Sequence, residues 1–229
     1  MLGVLGVARP LMLQGDNPNP FLVLVGAPGS GKSSWARKYF TRHEVVSSDR
    51  IRAMIGDHST DQRANSWTFQ ALHAIVEGRT TLGKTVVVDA TNRTKEIRRQ
   101  ATEPAIAWCR PAVAVVFLTP LEVCLERNAR RRPPRRVPED WIRETHAMIA
   151  RDFDPATMWG PLEPAGFSGV LFVRHEAHGY AGGSITMRRY GQEAWMDCAR
   201  KDAPADFRGP GKWPVHHRCG WAHPALRTP

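Results

Sequence analysis

Residues 21–33 read FLVLVGAPGSGKS, and the pattern of these thirteen residues indicates the fold class. Its first five residues are apolar, which is typical of a strand buried on both faces of a parallel sheet. The next eight residues match the pattern G-x-x-x-x-G-K-[ST], and a helical pattern begins at Ser33. A strand, a glycine loop and a helix in this order predict an α/β fold that begins near residue 20.

The glycine loop has the composition of a phosphate-binding site. Glycines let the backbone wrap closely around phosphate oxygens, and the amide groups at a helix N-terminus supply partial positive charge. Lys32 is predicted to reach the β- and γ-phosphates of a nucleoside triphosphate, and the Ser33 hydroxyl to ligate Mg²⁺. A chance glycine-rich turn is the alternative, which the strand and helix on either side disfavour. The predicted nucleotide-binding residues are Gly26, Ala27, Pro28, Gly29, Ser30, Gly31, Lys32 and Ser33.

The rest of the chain alternates between strand-like and helix-like segments, which predicts a parallel sheet with helices on both faces. Pro104 predicts a kink or a break in the helix that contains it. Further strands are predicted at 44–48, 85–88, 112–118 and 169–173, and helices at 60–79, 94–109, 120–131 and 138–151. Residues at core spacing in the first of these helices are Trp67, Ala71, Leu72 and Ile75.

Changes in composition divide the chain into three regions. Residues 1–19 are interpreted as a leader, 20–175 as the domain that holds the glycine loop, and 176–229 as an irregular basic C-terminal tail or small subdomain. The tail contains cysteines and histidines, but it lacks a Cys-x-x-Cys pair, so a chance scatter is favoured over a zinc site. These residues are Cys198, His216, His217, Cys219 and His223.

The chain is strongly basic. Lys and Arg number 32 against 22 Asp and Glu, so the formal charge is +10, which favours polyanionic partners such as nucleic acid. A solvated arginine-rich surface is the alternative.

No apolar run reaches the length of a membrane span, and residues 1–13 lack an export cleavage site, so no membrane partner is expected. The four cysteines do not form a disulfide scaffold, which favours a cytoplasmic location. The sequence makes no prediction of the oligomeric state.

Charged residues follow two strands at the predicted carboxyl edge of the sheet. Asp49 follows the second strand, and Arg52 lies one helical turn later, so the two share one side of the site. A carboxylate there can accept the proton of an attacking hydroxyl, and a guanidinium suits a phosphate on the acceptor. Helix capping by Asp49 and a surface position for Arg52 are the alternative. Asp89 ends the third strand and could organise Arg52 or a metal-bound water, or could cap the strand end.

Residues 127–136 concentrate arginines between two predicted helices, and two prolines keep this loop out of either helix. Such a lid could close over a triphosphate and neutralise charge that develops during transfer. A solvated basic loop or a nucleic-acid patch is the alternative.

These segments, taken in order, resemble one known group of enzymes. Residues 20–175 are similar to the kinase domain of the phage and bacterial polynucleotide 5′-hydroxyl kinases, and more broadly to their P-loop kinase superfamily, which includes zeta-toxin-like kinases. The resemblance implies a P-loop kinase fold with an arginine-rich lid. The motifs that carry it are the glycine loop with Trp35-Ala36-Arg37, then Asp49-x-x-Arg52, Asp89-Ala90-Thr91-Asn92, Arg127-Asn128-x-x-Arg131 and Val137-Pro138.

The resemblance also implies an activity, namely transfer of the γ-phosphate of ATP to the 5′-OH end of DNA or RNA, with Mg²⁺ as cofactor. Lys32 and Ser33 would handle the ATP phosphates and the metal. Asp49 would be the general base. Arg52, supported by Asp89, would contact the acceptor phosphate, and Arg131 would be the lid arginine on the donor phosphates.

The sequence departs from the family pattern in two places. The stretch from 131 to 137 is slightly longer than the pattern, so Arg130, Arg132 or Arg135 could replace Arg131. No Asp-x-Asp phosphatase motif follows, which argues against a bifunctional repair enzyme.

Two other functions stay open. A small-molecule kinase of the same superfamily, acting on a sugar, nucleoside or antibiotic, would keep the loop and Asp49 but would need neither Arg52 nor the basic charge. The second open function is a nucleic-acid-binding module. Its nucleotide site would only switch the conformation of the protein.

Overall fold

The computed structural model describes residues 19–153, 166–167, 169–174 and 187–189. The predicted leader lies outside the described residues apart from Asn19, and so does the C-terminal tail apart from 187–189. The candidate zinc ligands of the tail therefore also lie outside them.

Six strands form one sheet in the order β2-β3-β1-β4-β5-β6. The first five strands along the chain are parallel, and β6 runs antiparallel to β5. The prediction of an α/β fold with a parallel sheet is confirmed. β6 was not predicted, because three residues are too few to show a strand period. The strands are β1 (Phe21–Val25), β2 (Val45–Ser47), β3 (Val86–Asp89), β4 (Ala112–Leu118), β5 (Gly169–Arg174) and β6 (Met187–Arg189).

Helices connect the parallel strands. A 3₁₀ turn over Gln62–Ala64 precedes α3, so this helix begins later than the predicted residue 60. Of the kink or break predicted at Pro104, the break is wrong, because α4 continues through this residue to Ala107. None of the helices in the described part of the chain combines the length and apolar character that a membrane span requires. The helices are α1 (Lys32–Tyr39), α2 (Ser48–Gly56), α3 (Asn65–Thr81), α4 (Lys95–Ala107), α5 (Leu121–Ala129) and α6 (Glu139–Asp152).

The hydrophobic core lies on both faces of the sheet, because alternate residues of β1 point to opposite sides. Phe21, Val23 and Val25 pack in one cluster with residues of α3, α4 and α6. Leu22 and Leu24 pack in a second cluster that includes Trp35 and Ala36 of α1. The continuous apolar run that opens the fold is therefore buried on both faces, as the sequence predicts.

The buried face of α3 differs from the predicted one. Trp67 is 64% exposed and Ile75 is 44% exposed, whereas Leu72 is 2% exposed. The face that packs on the sheet carries Thr68, Leu72, Val76 and Thr80. The Thr68 hydroxyl donates to the carbonyl oxygen of Ala64, and Thr80 donates to that of Val76. Because a threonine can satisfy its hydroxyl on its own helix, this face is buried although it looks half polar.

Candidate active site

The glycine loop follows β1 and leads directly into α1. Its backbone needs glycine at two positions, because Gly29 and Gly31 have φ angles of 85° and 100°. A Cβ atom built on Gly29 would lie 2.5 Å from the carbonyl oxygen of Cys124 in α5. The loop therefore packs closely against α5 and has no room for a side chain at this point.

Lys32, the first residue of α1, folds back over the glycine loop. Its Nζ donates to the carbonyl oxygen of Gly26 at 2.6 Å and to that of Ala27 at 2.9 Å. Burial lowers the pKa of Lys32 to about 8, and the negative charge of Asp89 opposes this shift. The structure thus holds a buried ammonium group inside the loop that is predicted to bind phosphates.

Two side chains outside the loop hold its carbonyl groups in place. The Thr119 hydroxyl donates to the carbonyl oxygen of Ser30 at 2.8 Å, and Arg127 donates to that of Gly29 at 3.1 Å. Thr119 follows β4 and Arg127 lies on α5, so neither contact could be read from the loop motif itself.

Asp89 lies at the carboxyl end of β3, beside Ser47 at the end of β2. It is buried and accepts hydrogen bonds from the hydroxyls of Ser33 and Ser47. Burial raises the pKa of Asp89, and the nearby Lys32 ammonium opposes the rise. Asp89 therefore contacts Ser33, the predicted metal ligand, whereas the predicted support of Arg52 is supplied by other residues.

Asp49 and Arg52 form an ion pair in the first turn of α2. Nη1 of Arg52 lies 2.9 Å from Oδ1 of Asp49. The Arg52 side chain is 9% exposed, but that of Asp49 is 61% exposed. The sequence predicted that these two residues share one side of the site, and the structure joins them directly. It also adds two partners of Arg52 that were not predicted, Ser59 and Asn65.

One arginine of the loop after α5 faces the site. Arg131 is half-buried, and the charges of Lys32 and Asp49 both interact with it. Burial lowers its pKa, and Asp49 opposes this shift. The three alternatives to Arg131 are exposed, namely Arg130, Arg132 and Arg135.

Asn128 closes this arginine loop at its base. Its side-chain amide donates to the carbonyl oxygen of Val137 at 2.8 Å and accepts from the Val137 N–H at 3.0 Å. The pair of bonds joins the end of α5 to the residue just before Pro138 and α6. The position of Arg131 is thus fixed by a buried amide. The motif Arg127-Asn128-x-x-Arg131 contains this residue, but no role was predicted for it.

The predicted site residues converge on one edge of the sheet. The charge of Asp49 acts on Lys32, on Asp89 and on Arg131, so all four groups lie within electrostatic reach of one another. Of these four side chains, the two basic ones can bind phosphates beside the glycine loop. A carboxylate can orient a hydroxyl on the other side.

A family model described as an AAA domain matches residues 21–156, which is more than half of the chain. The chain belongs to this family. The matched AAA domain runs from β1 past the end of α6, so it contains every site residue described above. No curated protein matches this sequence.

Three solved structures are similar to this chain over part of their length. The complex of AvrRxo1-ORF1 and AvrRxo1-ORF2 with ATP has a TM-score of 0.53 and 14% identity, over 85% of this chain and 68% of that one. The PezAT toxin–antitoxin system of Streptococcus pneumoniae has a TM-score of 0.47 and 14% identity, over 72% of each chain. Shikimate kinase from Acinetobacter baumannii with shikimate has a TM-score of 0.37 and 17% identity, over 62% of this chain and 80% of that one. The TM-score of the AvrRxo1 complex supports a shared fold, and none of these similarities specifies an acceptor.

Proposed function

We propose that this protein transfers the γ-phosphate of ATP to the 5′-OH end of a DNA or RNA strand. The observation that carries the proposal is the Asp49–Arg52 pair beside the glycine loop. It combines an accessible carboxylate, suited to accept a proton, with a guanidinium, suited to a phosphate on the acceptor.

The donor side fits ATP. Residues 26–33 would surround its phosphates, and Lys32 would leave the loop carbonyls to pair with the β- and γ-phosphates. Arg131 approaches from the arginine lid and would offset negative charge during transfer. The similarity to a structure solved with ATP agrees with this choice of nucleotide.

The same edge of the sheet suits Mg²⁺. Asp89 and the hydroxyls of Ser33 and Ser47 form a compact set of oxygen atoms, which is the ligand type that magnesium prefers. Ser33 and Asp89 would hold the ion, which would neutralise charge on the phosphates of the donor.

Proton transfer is assigned to Asp49. Arg52 occupies Oδ1 of this carboxylate, so Oδ2 is left to accept the proton of the attacking hydroxyl. A bond forms between the hydroxyl oxygen and the γ-phosphorus, while the bond from this phosphorus to the oxygen shared with the β-phosphate breaks. ADP leaves with that electron pair.

The choice of a polynucleotide acceptor rests on Arg52 and on charge. A strand end places a phosphodiester one nucleotide away from the reacting 5′-OH, and a guanidinium held at Asp49 suits that group. The net charge of +10 would attract such a strand over a long distance.

The proposal can be tested with γ-labelled ATP and a panel of acceptors. We expect labelled product from DNA or RNA oligonucleotides with a 5′-OH, and none from the same strands that already carry a 5′-phosphate. Asp49→Asn should abolish the label, whereas Asp57→Asn, at an exposed residue just past the end of the same helix, should not. Labelling of free sugars or nucleosides without labelling of any oligonucleotide would replace this proposal with a small-molecule kinase.

A further inference from the structure

Asn65 is the first residue of α3, and its side chain contacts the guanidinium of Arg52. Nε of Arg52 donates to Oδ1 of Asn65 at 2.9 Å. Nη1 of Arg52 donates to Oδ1 of Asp49 at 2.9 Å and to the carbonyl oxygen of Ser59 at 3.2 Å. The guanidinium is therefore held by three separate segments of the chain.

The direction of the Asn65 amide is fixed by the Nε–H donor of Arg52 that it faces. Its Nδ2 donates to Oε1 of Gln62 at 2.7 Å. Exchange of the oxygen and nitrogen of Asn65 would place an NH₂ group against the N–H of Arg52, with two donors facing each other. The acceptor end of the amide must therefore face Arg52.

Helix capping does not explain this amide. The N-cap of α3 is Ala64, which has no side chain that could cap. The Asn65 side chain instead bonds Gln62 in the preceding turn and Arg52 in the neighbouring helix. Its hydrogen bonds therefore serve contacts between elements rather than the start of its own helix.

The hydrogen bonds of Arg52 leave one terminal nitrogen for a ligand. A guanidinium carries one N–H on Nε and two on each terminal nitrogen. Asn65 takes the first, and Asp49 and Ser59 take the two on Nη1. Within the described part of the chain, Nη2 has no hydrogen-bond partner. It is also not one of the fully buried atoms that lack a partner. Nη2 therefore keeps some contact with solvent, although the Arg52 side chain as a whole is 9% exposed.

We infer that Asn65 is a positioning residue that sets the plane of the Arg52 guanidinium, so that Nη2 faces the first phosphodiester of the acceptor. This inference rests on the proposed function. The bond to Nε matters because the guanidinium can otherwise pivot about its contact with Asp49. A pivoted guanidinium would keep its ion pair but would present Nη2 in the wrong direction.

A pair of acceptors can measure this role directly. One is an oligonucleotide with a 5′-OH and an ordinary first phosphodiester, and the other carries a neutral methylphosphonate at that linkage. The wild-type protein should prefer the charged acceptor in kcat/KM. In Asn65→Ala this preference should fall by about tenfold or more, because a hydrogen bond to a charged group is lost. The KM for ATP should change by less than about twofold, since Asn65 does not contact the glycine loop.

Two further variants separate positioning from a general loss of structure. Asn65→Asp keeps an oxygen opposite Nε, and Gln62 is exposed and can turn its own amide to donate to the new carboxylate. This variant should therefore retain most of the preference for the charged linkage. Gln70→Ala, at an exposed residue of the same helix, should behave as wild type.

The outcomes distinguish the inference from the function on which it rests. Retention of the full preference in Asn65→Ala, or its loss in Asn65→Asp to the same extent as in Asn65→Ala, would overturn the role of Asn65 alone. If the wild-type protein labels neither oligonucleotide, the polynucleotide acceptor is wrong, and the inference about Asn65 falls with it.

Discussion

The glycine loop is held mainly through its own backbone, whereas the Asp49–Arg52 pair is held mainly through side chains. Lys32, Thr119 and Arg127 all donate to carbonyl groups of the loop. Arg52 instead depends on the carboxylate of Asp49 and the amide of Asn65, with Ser59 supplying its carbonyl. A donor site built on the backbone depends on its glycines, because Gly29 and Gly31 have positive φ angles and a Cβ at Gly29 would meet α5. An acceptor site built on a few side chains can change its specificity through one or two substitutions without altering nucleotide binding.

The largest effect is expected from Asp49→Asn, which should lower the rate of phosphate transfer without weakening ATP binding. Loss of a general base lowers kcat by roughly 10²–10⁴-fold. The dissociation constant of ATP should change little, because the phosphates are held by the loop. Single-turnover transfer assays and calorimetric titration with ATP measure the two quantities. A matched loss of ATP binding would mean that the two sides are not separate as we describe.

Arg131→Ala tests the arginine that is assigned to the donor phosphates and that also interacts with Asp49. Arg131 is half-buried and interacts with Lys32 and Asp49, so its removal should lower kcat by about 10²-fold. Arg130→Ala is the matched control. Arg130 is exposed and pairs with Glu126 on the surface, so its removal should change kcat by less than about twofold. A reversed order of the two effects would assign the lid arginine to Arg130.

Gly29→Ala should weaken the donor side through the backbone. Its φ of 85° costs a residue with a Cβ about 1–2 kcal/mol, and the new atom would meet the carbonyl oxygen of Cys124. The dissociation constant of ATP should rise by about tenfold or more. Gly78→Ala is the control, because its Cβ meets nothing within 4 Å. This control should raise stability by about 0.5–1 kcal/mol and leave ATP binding unchanged. Equal ATP affinities for the two variants would contradict the close approach of the loop to α5.

The same contrast explains which parts of the site could be predicted from the sequence. The donor side is contiguous in sequence, so residues 21–33 predicted its strand, loop and helix together. Asp49 and Asp89 also lie where they were predicted, at the carboxyl edge of the sheet. These predictions needed only a local pattern and the rule that parallel strands end at one edge.

The contacts that hold the acceptor side could not be predicted in this way. Asn65 lies thirteen positions after Arg52 and belongs to another helix, so no local spacing joins them. Asn128 and Val137 both belong to motifs in the sequence, but they lie nine positions apart, and no local spacing predicts the pair of bonds between them. Such pairings depend on how helices pack, and packing is a property of the whole core rather than of a local pattern.

The smallest effect is expected from Trp67→Gln on α3, the helix that supplies Asn65. Trp67 is 64% exposed, so its replacement should change the free energy of unfolding by less than about 0.5 kcal/mol in urea. Leu72→Ala, on the buried face of the same helix, should cost about 2–5 kcal/mol.

This comparison also tests the acceptor side, because the rotation of α3 decides what Asn65 can reach. Asn65 and Trp67 are two residues apart, so they lie about 200° apart around the helix. A helix turned to bury Trp67 would carry Asn65 away from Arg52 and release the guanidinium. If Trp67→Gln proved as destabilising as Leu72→Ala, the contact between Asn65 and Arg52 would have to be abandoned together with the orientation of α3.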